Sequence, residues 1–241
     1  MKRISGFTLI ELILTIVVVG IIAIAASNTL VLGFQSYNDS IDRQDNQMQA
    51  KFVIEKLSRE LRHAVPNSAE VISSQCVSFI PLKVSAFYFE LPQFNQKQID
   101  VVLLSNNTVT LDNFRLVINP SSQSDLLDDA HHRFITIESM TQSGGISTIH
   151  FPNTTNNPAF ISSSVSERAF IYRPSVVEYC IQAGGVFRDG VQIANHVTSG
   201  GFSIDNASLN RNSMIKMVLT FENDLGEATQ YQHDVQVINV P

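Results

Sequence analysis

Gly6-Phe7-Thr8-Leu9-Ile10-Glu11, continued by Leu12-Ile13-Leu14-Thr15-Ile16-Val17-Val18-Val19-Gly20-Ile21-Ile22-Ala23-Ile24-Ala25-Ala26, decides how the rest of the chain is read. Residues 7–26 form an apolar run of roughly the twenty residues that a bilayer-spanning helix needs. Its one charge, Glu11, stands near the start. The short basic segment ahead of it, Met1-Lys2-Arg3-Ile4-Ser5, keeps the N-terminus in the cytoplasm by the positive-inside rule. A secretory signal peptide places its small-residue cleavage site after the apolar segment. Here the small residue, Gly6, comes before it, so a cut there leaves the apolar helix on the mature protein. A carboxylate inside an apolar span costs about 2.5–3.5 kcal/mol at the helix centre, and its retention points to a function.

Outward from this stretch, 241 residues leave room for one sizeable domain beyond the helix. The formal net charge is −6, and loss of Lys2 and Arg3 would make the chain more acidic still. An acidic chain has no general attraction for nucleic-acid phosphates, so no nucleic-acid partner is expected. With the anchor oriented as above, everything after Ala26 is expected on the periplasmic or outer side, where disulfides persist. The two cysteines, Cys76 and Cys180, sit in strand-like runs and allow one intramolecular bridge. Closing a loop of about 100 residues would contribute up to roughly 4.7 kcal/mol in the chain-entropy model. The alternative is two unpaired buried thiols.

Helical character continues beyond the apolar run. Ala50, Val53, Ile54, Leu57, Leu61 and Ala64 recur at spacings of three and four, one face of an amphipathic helix. Glu55 and Arg59 make a favourable i,i+4 spacing, and Pro66 stops the helix. Unbroken from Phe7 to Ala64, it would be about 87 Å long. After Pro66 the period changes to two. Strands are expected over residues 71–80, 85–91, 99–104, 115–118, 133–138, 169–172, 176–182, 214–222 and 230–238, separated by turn-prone stretches. Helix first, then many antiparallel strands, is an α+β pattern.

Chemical motifs are sparse. Asp125, Asp128 and Asp129 precede His131-His132, but the spacing fits neither a zinc site nor an EF-hand loop; a solvated loop is the expected reading. There is no phosphate-binding Gly-Lys-Ser/Thr loop and no Gly-x-Ser-x-Gly elbow. Tyr172-Arg173 and Phe187-Arg188 could stack on sugars or bases, with packing the preferred role. No enzyme activity and no cofactor are expected.

The hexapeptide from Gly6 to Glu11 ahead of an apolar helix resembles the class III signal of type IV pilins and type II secretion pseudopilins. The resemblance implies that a prepilin peptidase cuts between Gly6 and Phe7 and methylates the new N-terminus at Phe7. It implies too that Glu11 docks the subunit into a growing filament. Residues 1–6 are then the leader, 7–26 the transmembrane half of the helix, 27–65 its periplasmic amphipathic part and 66–241 a β-rich periplasmic domain. The implied fold is a long N-terminal helix followed by an antiparallel β-rich globular domain. The implied location is the bacterial inner membrane, single-pass, before incorporation into a pilus or pseudopilus. Partners would be other minor and major pilins and the inner-membrane assembly platform.

Three looser patterns narrow the resemblance. They are the Gly184-Gly185 hairpin within residues 176–188, the helix end over residues 55–68 and the last residues, 233–241. They are similar to J-type minor pseudopilins and, more closely, to MshO-type minor pilins of the mannose-sensitive haemagglutinin (MSHA) pilus. Major pilins commonly carry a proline partway along the transmembrane helix. Asn28 stands in that place here, which favours a minor subunit. Two other readings stay open: a J-type pseudopilin of a type II secretion system, and a tip adhesin whose loops, such as residues 153–158, bind a surface ligand.

Overall fold

The computed structural model describes residues 6–92, 96–104, 113–129, 133–152, 163–182, 184–205, 214–223 and 226–237. The fold is α+β: one long helix followed by antiparallel sheets. The chain divides into two compact units, residues 1–48 and 49–241.

Helix α1 runs without interruption from Leu9 to Arg62, over 54 residues. In the first unit its apolar side chains point outward. The few polar ones satisfy themselves locally: Thr15, Ser27, Thr29 and Ser40 each donate to a carbonyl three or four residues back. Within the second unit the expected face is the buried one. Ala50, Val53, Leu57, Leu61 and Ala64 are buried and Ile54 is partly so. Glu55 pairs with Lys51 at 3.8 Å rather than with Arg59. The helix stops before Ala64. Ala64 already bridges to Pro81, and the Val65 N–H donates to the Ile80 carbonyl at 2.8 Å.

The second unit holds three sheets. The five-stranded sheet has the order β1-β2-β10-β11-β12, with β1 Glu70–Ser73, β2 Cys76–Phe79, β10 Val177–Gln182, β11 Gly185–Arg188 and β12 Val191–Ala194. The three-stranded sheet is β13 Val197–Asp205, β14 Met214–Glu222 and β15 Ala228–Gln236. Residues 50–64 pack with both sheets in one core, against Val77, Phe79, Tyr179 and Val186 from the first and Ile215, Met217, Leu219 and Phe221 from the second.

The seven-stranded sheet has the order β6-β5-β9-β3-β4-β8-β7. Its strands are β3 Leu82–Tyr88, β4 Gln98–Leu103, β5 Arg115–Val117, β6 Phe134–Thr136, β7 Ser139–Ser143, β8 Ile146–His150 and β9 Arg168–Tyr172. It has its own core, including Val84, Ala86, Val101, Leu116, Ile135, Ile149 and Ile171. A third cluster joins the two parts: Val65 and Ile80 meet Val117, Leu126, Phe170 and Tyr172. Every strand of the seven-stranded sheet lies between β2 and β10 in sequence, so this sheet is an insertion into the helix-bearing part.

Two sequence expectations are corrected. The single strand over residues 71–80 is a hairpin, β1 and β2, turning at Ser74 and Gln75. The expected solvated loop at Asp125 is a short helix, α2 (Ser124–Leu127), in which Asp125 is buried. Its carboxylate accepts from the Ser121 N–H at 2.8 Å and from the Ser121 hydroxyl, with the Arg133 guanidinium 3.8 Å away. Strands β7, β8, β12 and β13 were not expected.

Candidate functional site

Thr8 opens α1. Its carbonyl accepts the first helical hydrogen bond, from the Leu12 N–H at 3.2 Å, and its hydroxyl lies 3.4 Å from the Glu11 N–H. Thr8-Leu9-Ile10-Glu11 thus has the S/T-x-x-E spacing of a capping box, with Thr8 at N-cap and Glu11 at the third helical position. The cap was a signal present in the sequence that the reading of Glu11 as a docking group passed over. It places the Glu11 carboxylate in the first turn, where the helix dipole favours a negative charge.

Around Glu11 the surface is apolar and uncovered. Phe7, Leu9, Ile10 and Leu14 are all more than half exposed, as are Ile21 and Ile24 farther along. None of the most apolar 18-residue window of α1 is buried, and α1 is long and apolar enough to cross a membrane. A row of this size is stable only against lipid or against other apolar helices. Gly6 precedes the helix in open space: a Cβ built on it meets nothing within 4 Å. Nothing among the described residues requires glycine there.

Cys76 and Cys180 are joined by a disulfide, Sγ–Sγ 2.12 Å. They are directly opposite each other on β2 and β10, with Cα atoms 4.2 Å apart. The neighbouring Ile181 N–H to Gln75 carbonyl bond (2.9 Å) puts the cysteines at a non-hydrogen-bonded position of the ladder, where side chains approach most closely. Glu178 lies beside them, and the three side chains are close enough to surround a metal ion. With the sulfurs bonded to each other, neither offers the thiolate that a metal would bind.

The other sequence candidates serve packing. Arg188, on β11, reaches Glu60 of α1, with Nε 3.0 Å from Oε2, while Lys56 approaches Glu60 at 3.1 Å. Burial raises the Glu60 carboxyl, but the Arg188 and Lys56 hydrogen bonds outweigh it and hold the group below its ordinary value. Burial, with Glu60 nearby, pushes the Tyr179 phenol well up. Tyr172 is buried and donates to the Leu126 carbonyl at 2.9 Å. Arg173 lies over the Phe114 ring, 5.0 Å from its centre. Asp129 meets Arg115 at 3.5 Å, so Asp125 and Asp129 both face arginines. His131, His132 and residues 153–158 lie outside the described residues.

Residues 1–27 match the family model of the prokaryotic N-terminal methylation motif. The match covers the basic leader, the Gly6-Phe7 junction and the apolar start of α1, and it supports a type IV pilin-like or pseudopilin-like subunit. The motif implies prepilin peptidase and pilus or pseudopilus components as partners, and with the apolar helix it points to a single-pass anchor. No curated protein and no solved structure matches the chain.

Proposed function

We propose that the protein is a minor pilin of an MSHA-type type IV pilus, without enzymatic activity. It is inserted in the bacterial inner membrane with residues 66–241 in the periplasm. Prepilin peptidase cuts after Gly6 and methylates Phe7, and the subunit then helps prime or cap the filament. The observation that carries this reading is the glycine junction placed directly before a capped, uncovered apolar helix with one carboxylate in its first turn. In a bundle of such helices, Glu11 pairs with the N-terminal amine of a neighbouring subunit. An ion pair in that low-dielectric setting fixes registry more than it adds stability, and removing one partner leaves the other charge buried and uncompensated. Gly6, which the fold does not require, fits a residue kept for the peptidase.

The test is Glu11→Leu at matched protein levels in the native host. Processing and membrane insertion are expected to persist, since the change removes a charge from an apolar helix. Filament number and co-purification with neighbouring subunits are expected to fall sharply. Wild-type assembly by this variant would overturn the docking role. Deleting the gene separates the assignments: lost filaments support the pilus, whereas intact filaments with lost protein secretion would move the chain to a type II system. Normal filaments that no longer adhere would instead identify a tip adhesin.

A further inference from the structure

A basic cleft of about 400 Å³ lies at the end of α1, lined by Ile54, Glu55, Ser58, Arg59, Arg62 and His63, with His233 of β15 across from them. Its charged and titratable groups are Glu55, Arg59, Arg62 and His63 from the helix end and His233 from the strand. The two guanidinium groups form no ion pair with any described residue, whereas Glu55 is engaged by Lys51 at 3.8 Å. Ser58 is only 7% exposed, and its hydroxyl, sealed from solvent beneath the cleft, has no hydrogen-bond partner among the described residues. Arg59 and Arg62 also complement the negative end of the helix dipole. That role does not require the histidine on a separate strand.

We propose that this cleft binds a phosphate group. Two guanidinium forks and two imidazoles offer more donors than the roughly four lone-pair sites of a carboxylate can accept. Phosphate brings more acceptor sites and more negative charge, and arginine forks match it in bidentate geometry. The cleft exceeds a bare phosphate in size, so the group arrives on a larger molecule, either a soluble phosphate ester or a phospholipid headgroup. Glu55 is the one lining charge that opposes binding.

The test uses the full-length protein in a non-ionic detergent at low salt, titrated with inorganic phosphate, with glycerol 3-phosphate and with short-chain phosphatidylglycerol, followed by calorimetry. Saturable binding is expected. Arg59→Gln and Arg62→Gln should each weaken it about tenfold, the scale of a charge-assisted hydrogen bond. Glu55→Gln should tighten it about threefold, the scale of one exposed charge, and a misfolded variant could not mimic that gain. Lys83→Gln, on exposed β3 surface, should leave it unchanged. Saturation by the soluble phosphates marks a soluble ligand, and saturation by the lipid alone marks a headgroup. No saturation by any of the three, or binding undiminished in both arginine variants, would overturn the proposal. So would binding of an acidic peptide where all three phosphates fail.

Discussion

Arg188, Glu60, Lys56 and Tyr179 form the contact through which the helix end holds β10 and β11, and they set a pH dependence. Glu60 is depressed in the folded state. Such a carboxyl adds stability that is fully present above its unfolded value, about 4.3, and is lost as pH falls through the lower folded value. The urea midpoint should therefore drop between about pH 5 and pH 3, and drop less in Glu60→Gln. Arg188→Ala should cost about 2 kcal/mol, because Glu60 then keeps, among the described residues, Lys56 as its charged partner. Leu57, fully buried between two sheets, should cost about 2–5 kcal/mol on truncation to alanine; equilibrium unfolding measures both. At the junction, intact mass of protein from the native host should match a chain beginning at N-methylated Phe7. Retention of Met1 in the mature pool would count against processing.

Among the elements, the amphipathic end of α1 and β14 were the most legible, because burial in one core dictates their patterns. The apolar spacing from Ala50 to Ala64 is the buried face, and Ile215, Met217, Leu219 and Phe221 are the inward side of β14. Hidden elements had physical reasons to be hidden. The turn between β1 and β2 is Ser74-Gln75, with no glycine, asparagine or proline to announce it. Strand β7 is mostly exposed and polar, so it carries no core pattern. Strand β13 contains Gly200-Gly201, a pair more typical of a turn than of a strand interior. A Cβ on Gly200 would stand 2.6 Å from the Val218 carbonyl oxygen, and one on Gly201 2.9 Å from that of Ser74. Here glycine permits close approach of neighbouring backbone rather than a turn. Gly200→Ala should destabilise by about 1–3 kcal/mol, seen as a lower thermal midpoint. By contrast, Asp189-Gly190 is a hairpin signal that went unread: both residues have positive φ, 49° and 78°, and join β11 to the unexpected β12. At the candidate site, the methylation motif over residues 1–27 was legible because it is local in sequence. Burial of Asp125 was not, because Ser121 and Arg133 enclose it only after folding.

For the whole molecule, the insertion makes the fold modular. The core around α1 uses no residue of the seven-stranded sheet, and that sheet's own core uses only its own strands and the segments flanking them. Leu82 and Tyr172, near the two ends of the insertion, are register partners on β3 and β9. Replacing residues 82–172 with a short Gly-Ser linker should therefore leave the helix-bearing part folded. It should be less stable, since Val65 and Ile80 lose their cover. Recovery of the joined Cys76 and Cys180 peptides under non-reducing digestion would confirm it, and free thiols in an unfolded product would refute it.

The disulfide that closes this insertion has a mechanical meaning. Cys76 and Cys180 are 104 positions apart yet covalently adjacent, so the shortest bonded route from α1 to β15 skips everything between them. Tension applied along the backbone would travel by that shunt. The seven-stranded sheet would hang slack beside the strained path, sheltered from loads that pull the helix-bearing part taut.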